Sequence, residues 1–188
     1  QPLVMATKAG LPADSLQGFI DYAKKNPGKL NYGSQGVGGG NHLNTLLLEK
    51  FAGLQMVHVP FNGSGPAVQA MLQGDVDLFM APMAEILPHY KAGKLKMLAM
   101  GTEQRNPHAP DVPTFAESGV AGYDHGPWNG LFAPAKTPAP IIARLNQETV
   151  RVLGNATTKE RFFRAGVETL GSTPEESVAT IKSDINRW

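Results

Sequence analysis

The sequence predicts an α/β fold organised around a largely parallel sheet. Short β-type runs alternate with longer helical patterns, which is typical of repeated βα units. Most of the β-type runs are apolar throughout, as strands covered on both faces are. Several helical patterns begin with proline, a residue favoured in the first turn of a helix. With 188 residues, the chain can bury a core in one medium domain or in two small lobes.

The individual elements follow from the local patterns. The most regular helical pattern, Asp14–Lys25, begins at a capping residue, places Leu16 and Phe19 on one face, and stops at Asn26-Pro27-Gly28. The predicted strands are Leu3–Thr7, Leu30–Ser34, Met56–Phe61, Val76–Met80, Lys96–Met100, Trp128–Ala133 and, more weakly, Val167–Leu170. The other predicted helices are His42–Phe51, Pro66–Leu72, Ala84–Ala92, Pro138–Leu153, Thr158–Ala165 and Pro174–Arg187.

A segment rich in proline and glycine, Gly101–Pro127, interrupts this alternation and is typical of a connection between lobes. Before it lie five predicted strands with their helices, which suffice for a complete layer. After it lie one or two strands and three helices, a thin basis for an independent core. We therefore predict one lobe over residues 1–123 and an incomplete one over residues 124–188.

Composition excludes several classes of function. The formal net charge is +1 and no run of Lys or Arg is present, so we expect no nucleic-acid partner and no polybasic membrane patch. Cysteine is absent, which excludes disulfides, thiolate metal sites and a cysteine nucleophile. No apolar run approaches the roughly 20 residues that span a bilayer. The first residues lack the features of a signal peptide, so we expect a mature or trimmed chain.

The most informative motif is a predicted strand that runs through the glycine-rich turn Gly36–Gly40 into a helix beginning at His42. Amides at a helix start have no intrahelical acceptor and lie at the positive end of the dipole, so a carboxylate or phosphate is favoured there. A similar turn follows at Asn62–Ala67. The strand end Phe79–Pro82 would complete the rim of a ligand crevice at the carboxyl ends of the strands. A flexible connection that binds nothing is the alternative interpretation.

Catalytic and metal motifs are incomplete. Ser34 lies on a strand-to-helix turn, but Tyr32 occupies the first glycine of the G-x-S-x-G motif, so Ser34 is expected to contact a ligand or cap the turn. Asn41 breaks the dinucleotide fingerprint, and the histidines lack metal-ligand spacing, so we expect no cofactor and no metal. Asp77 is expected to face solvent or cap a turn, as is Asp75.

A family resemblance rests on ordered matches along the chain. The longest, Asn26–Ser34, continues through Gly36, Gly38 and His42-Leu43. Further matches are Val57–Phe61, Gly74–Asp77, Ala92–Lys96, Pro110–Thr114, Trp128–Pro134 and Ser172–Glu176. On these residues the chain resembles the extracytoplasmic solute-binding proteins of bacterial tripartite tricarboxylate transporters, the Bug-type or TctC-like family.

The resemblance implies a type II periplasmic-binding-protein fold, in which two lobes with parallel or mixed sheets flanked by helices close on a ligand. It implies a periplasmic protein that is not an enzyme, captures a small organic acid and delivers it to a membrane permease. The implied ligand-binding positions are Ser34, Gly36, Gly38, Gly39, Gly40 and His42, with Gly63, Ser64, Met80 and Ala81 as weaker additions.

The departures from the family pattern carry expectations of their own. Members usually have a hydroxyl residue where Gly39 or Gly40 stands, so we expect backbone amides to make more of the hydrogen bonds to the ligand. They usually also have a polar residue where Met80 stands, so we expect a ligand with a more apolar tail. Members also have a long N-terminal portion that builds most of the first lobe. Residues 1–123 then correspond to the second lobe, and residues 124–188 to the C-terminal part of an incomplete first lobe. Such a lobe would expose apolar side chains near Leu131 and Phe132, with self-association as a hypothesis.

Two other functions remain open at the level of sequence. A small α/β enzyme could activate an anionic substrate at the same turns, although only His42 and distant carboxylates are available as acid or base. A fragment that binds no ligand is the other alternative, because an incomplete lobe removes half of the contacts.

Overall fold

A computed structural model describes residues 2–120, 123, 128–164 and 167–187, with the side chains of Arg164 and Arg187 outside the description. The chain divides into two compact units, Gln1–Pro127 and Trp128–Trp188. The assignment of these units to the second lobe and to part of the first remains a prediction. Each unit is described by itself.

The first unit contains every strand and helix that the sequence predicts for it. Its strands are β1 (Leu3–Lys8), β2 (Asn31–Ser34), β3 (Val57–Pro60), β4 (Leu78–Pro82) and β5 (Leu95–Met100). Its helices are α1 (Leu16–Lys25), α2 (Gly40–Ala52), α3 (Ser64–Gln73) and α4 (Met83–Lys91). At the start of α1, the Ser15 hydroxyl accepts a hydrogen bond from the Gly18 amide at 3.1 Å, so the capping residue is Ser15 rather than Asp14.

The sheet is mixed rather than largely parallel. Its strand order is β3-β2-β4-β1-β5, with β2 parallel to β3 and β4. Strand β1 runs antiparallel to both of its neighbours, β4 and β5, so the prediction of a parallel layer is wrong for this strand. The reason is that a strand covered on both faces is apolar whichever way it runs.

Helices cover both faces of this sheet. Side chains along β1 alternate between two core clusters: Leu3 and Met5 pack with residues of α1 and α2, and Val4 and Ala6 pack with residues of α3 and α4. This alternation is the two-residue period of a strand. The first unit is therefore a three-layer α/β/α sandwich with a core on each side of the sheet.

Three helices begin at the same edge of the sheet. Strands β2, β3 and β4 run in one direction, and each is followed by the helix that starts at its carboxyl end, α2, α3 or α4. None of the three described N-cap residues, Gly39, Gly63 and Pro82, makes a side-chain capping hydrogen bond. The amides of three first turns are thus gathered at one edge, where that of Met83 in α4 donates to the Pro2 carbonyl at 2.9 Å.

The second unit is helical where the structure describes it. It contains α5 (Ala139–Gly154), α6 (Ala156–Arg164) and α7 (Pro174–Arg187), and no strand occurs within residues 128–164 and 167–187. The strands predicted at Trp128–Ala133 and Val167–Leu170 are therefore wrong. A strand needs a neighbour to satisfy its backbone N–H and C=O groups, and apolar composition does not supply one.

The second unit exposes large apolar side chains. Leu131 is 74% exposed, Phe132 is 68% exposed and Leu170 is 78% exposed. No residue of the 16-residue helix α5 is buried. This agrees with the apolar surface expected from the sequence.

We expect the chain to bind an apolar dye or to self-associate, because exposed apolar side chains favour both. Light scattering and the fluorescence of an added naphthalene sulfonate dye would measure the two effects. The double variant Leu131→Ser and Phe132→Ser should weaken them, since it removes exposed apolar groups without touching the core. A strictly monomeric chain that does not increase the fluorescence of the dye would contradict the prediction.

Candidate functional site

The turn that joins β2 to α2 has a backbone that requires glycine. Gly36 has a φ of 134° and Gly38 a φ of 77°, a region that residues with a Cβ rarely adopt. An ideal Cβ added at either position would meet no atom within 4 Å. Conformation, and not lack of space, therefore explains these two glycines.

The amides of this turn are hydrogen-bonded within the turn. The Gly36 amide donates to Ser34 Oγ at 3.1 Å, and the Gly38 amide donates to His42 Nδ1 at 3.1 Å. The Gly39 amide donates to the Gly36 carbonyl at 3.3 Å. The turn is thus closed upon itself, whereas the sequence suggested amides directed towards a ligand. The amides of Gly40 and His42, in the first turn of α2, lie where a helix offers no acceptor.

Ser34 holds this closed turn together. Its side chain is fully buried, and its Oγ lies 3.0 Å from the Gly36 carbonyl and 2.6 Å from His58 Nε2. Since the same Oγ accepts the Gly36 amide, the hydroxyl is surrounded by partners. Of the two roles expected for Ser34, the structure shows the one in which it caps the turn.

Three rings are stacked beneath the turn. Tyr32 and His58 are opposite each other on the parallel strands β2 and β3, with ring centroids 5.0 Å apart. His42, from the first turn of α2, stacks on His58 with centroids 4.0 Å apart and an interplanar angle of 19°. His58 was not selected from the sequence. Tyr32 lies two residues before Ser34, so the two side chains share one face of β2. His58 is opposite Tyr32 on β3, so this two-residue period could have placed His58 near Ser34.

Burial controls the electrostatics of this stack. Burial, and then the neighbouring His42, lower the pKa of His58. Burial raises the pKa of Glu49, against the opposing effects of its hydrogen bond from the Met56 amide and of His42. Burial and the charge of Glu49 raise the pKa of Tyr32 to about 12, so the phenol stays neutral. The stack is thus an environment that resists the accumulation of charge.

Two buried asparagines make side-chain hydrogen bonds in the first turns of α2. Asn41 is buried, and its Nδ2 donates to the carbonyl of Met80 at the end of β4. Asn44 is buried as well, and its Nδ2 donates to the Gly40 carbonyl at 2.8 Å. Sequence reasoning gave these residues no such role, because Asn41 and its acceptor lie 39 residues apart. The Asn41 contact positions the helix start against the end of β4, whereas the Asn44 contact lies within α2.

The remaining predicted site residues are divided between the rim and the core. Gly63, with a φ of 110°, and Ser64 form the start of α3, and the Phe61 amide ties this strand end to the Ser34 carbonyl at 2.9 Å. Met80 and Ala81 are fully buried, with Met80 in the core cluster beneath α1 and α2. Both residues are buried as a whole, and the Met80 carbonyl already accepts the Asn41 side chain, so the described structure exposes neither of them to a ligand. The apolar tail contact expected from the sequence stays a prediction.

The described residues show neither a candidate metal site nor a candidate membrane-spanning helix. The described residues contain no group of three or more His, Cys, Asp or Glu side chains that could hold a metal ion. None of the described helices has the length and apolarity needed to cross a membrane.

Comparison with known proteins identifies the family. The family model described as the tripartite tricarboxylate transporter family receptor, TctC, matches residues 1–188. The chain belongs to this family. The resemblance inferred from the sequence is therefore confirmed, as is its assignment to a type II periplasmic-binding-protein fold.

Solved structures of TctC relatives superpose on the whole chain. They include Rpa4515 from R. palustris with adipate, at 31% identity and a TM-score of 0.93, covering 62% of that protein. The periplasmic binding protein BugD follows at 29% identity and a TM-score of 0.91, with 63% of its chain covered. MatC from Rhodopseudomonas palustris with bound malate has 32% identity and a TM-score of 0.89, with 65% covered. The chain spans between 54% and 58% of the length of three curated relatives.

Proposed function

We propose that this chain captures a small organic acid for a tripartite tricarboxylate-type transporter, on the periplasmic side, and delivers it to the membrane permease without chemical change. The observation that supports the proposal is the convergence of three helix starts at one edge of the sheet, of which those of α2 and α3 have no side-chain cap, while the Met83 amide of α4 donates to the Pro2 carbonyl at 2.9 Å. Such an edge favours negative charge. Two relatives of the same family were solved with dicarboxylates, adipate and malate.

The ligand carboxylate is proposed to lie over the starts of α2 and α3. The first-turn amides of Gly40 and His42 are directly suited to it, and Ser64 begins the adjacent helix. The amides of Gly36, Gly38 and Gly39 join the site only when their contacts within the turn are exchanged for the ligand. Ser34 then acts by holding the shape of the turn, and the buried end of β4, with Met80 and Ala81, supports α2 through the contact from Asn41 to the Met80 carbonyl.

The contact between Ser34 and His58 raises the alternative of a serine hydrolase, in which a histidine activates a hydroxyl. Ser34 is fully buried, however, and its Oγ already accepts the Gly36 amide. A nucleophile must reach a substrate carbon, which this hydroxyl does not in the described geometry. We therefore propose binding without turnover.

A thermal-shift titration with adipate and malate tests the function. A ligand that binds the folded chain at 100 times its Kd adds about 2.7 kcal/mol to the free energy of unfolding, which corresponds to a Tm rise of about 5–10 °C. The matched control is hexane-1,6-diol, which has the chain length of adipate without its carboxylates, and it should leave the Tm unchanged.

The outcomes distinguish the three hypotheses for the function: a binding protein, an enzyme and a fragment that binds no ligand. A rise in Tm with the acids alone supports the proposed function. If chromatography shows that an acid which binds is also chemically converted, the result would favour the enzyme instead. A Tm that stays constant with every organic acid would identify a fragment that does not bind.

A further inference from the structure

The hydrogen bond between the Gly38 amide and His42 Nδ1 depends on the protonation state of the imidazole. A ring nitrogen that accepts an N–H carries no proton, so His42 is neutral in this structure, with its proton on Nε2. A second proton would have to occupy Nδ1. It would abolish this acceptor and release the Gly38 amide from the turn.

Only one proton can be added to the histidine stack at modest cost. The rings of His42 and His58 lie with centroids 4.0 Å apart, so two positive charges would repel strongly. Burial and the proximity of His42 both lower the pKa of His58, which disfavours a proton on His58, and His58 Nε2 is already 2.6 Å from Ser34 Oγ. Of the described titratable groups that interact with the pair, Tyr32 from β2 stays neutral, and Glu49 from α2 has a pKa that burial raises and that His42 lowers.

We propose that His42 links organic-acid binding to the uptake of one proton. Protonation of His42 frees the Gly38 amide, and the bound carboxylate replaces Nδ1 as its acceptor. The imidazolium adds a positive charge at the start of α2, where the carboxylate is proposed to lie. The inference rests on the proposed function and adds to it a positioning residue whose protonation state sets the affinity.

The sign of the pH dependence follows from this linkage. Binding favours the protonated form of His42, so affinity rises as the pH falls. Carboxylic acids, with ordinary pKa values of about 4, remain ionised above pH ~6, so the ligand keeps its charge. Uptake of one proton changes the dissociation constant by at most about tenfold for each pH unit.

Titration calorimetry of the chain with adipate and malate, at about pH 6 and 8 in two buffers of different ionisation enthalpy, counts the protons taken up. We expect affinity on the order of tenfold higher at the lower pH, with uptake of up to one proton. The variant His42→Asn places an amide oxygen near the position of Nδ1, so it keeps an acceptor for Gly38 but cannot titrate. It should bind weakly with no pH dependence.

The control is His89→Asn, which removes a histidine from α4 of the same unit and should retain the full pH dependence. Binding by the native chain without proton uptake, or pH dependence that survives in His42→Asn, would overturn the inference while leaving the proposed function intact. A uniform loss of affinity in His42→Asn with unchanged proton uptake would show that His42 is only structural. Absence of binding by the native chain at every pH would overturn both proposals.

Discussion

Replacing Asp77 with alanine is expected to lower the free energy of unfolding by about 2–4 kcal/mol. The Asp77 side chain is 10% exposed, and its carboxylate lies 2.6 Å from Lys8 Nζ at the end of β1. It also accepts the Asn31 amide at 2.9 Å at the start of β2. Removal of the carboxylate leaves the Asn31 amide without that acceptor and Lys8 without its carboxylate partner, with the Gly74 carbonyl at 3.3 Å as its remaining contact. Urea unfolding followed by circular dichroism would measure the loss.

The chain offers a matched control in Asp14. Its carboxylate also lies 2.6 Å from a lysine, Lys96, but its side chain is 90% exposed. An exposed pair contributes about 0–1 kcal/mol, so Asp14→Ala should change stability little. Since the two ion pairs share a distance and differ in burial, equal effects of the two substitutions would refute the view that burial makes Asp77 important.

The sequence predicts the local features of the fold better than the contacts between distant segments. The elements of the first unit were predictable because periodicity, capping residues and glycine turns are local. The direction of β1 was not, since its neighbours β4 and β5 come much later in the chain. Asp77 is expected from the sequence to face solvent or cap a turn, and the structure buries it instead, because its partners Lys8 and Asn31 approach only in the folded unit.

The candidate site was predictable to a similar extent. The glycine turn and His42 belong to one continuous segment, and that segment predicted a helix start suited to an anion. The contacts that close the turn were not predictable, because His58 comes from a different strand. Nor was the contact from Asn41 to the end of β4. A local motif thus identified the place, and tertiary contacts determine which amides are free.

Replacing Gly38 with valine is expected to weaken organic-acid binding about tenfold to a hundredfold. The proposed bound state includes one hydrogen bond from the Gly38 amide to a carboxylate, and a hydrogen bond to a charged group contributes about 1.5–3 kcal/mol. Valine at a φ of 77° would drive the backbone out of the left-handed region and redirect this amide. Calorimetry with adipate would measure the change in Kd.

Gly93→Val separates this loss from a general effect of strain. Gly93 has a φ of 67°, close to that of Gly38, and a Cβ added there would likewise meet no atom within 4 Å. Both substitutions should therefore cost a similar 1–2 kcal/mol or so in stability. Gly93 precedes β5, at the edge of the sheet opposite to the three helix starts, so its variant should bind normally. If both variants lost affinity equally, or Gly38→Val lost none, the Gly38 amide could not be a ligand contact, because the two differ in location and not in strain.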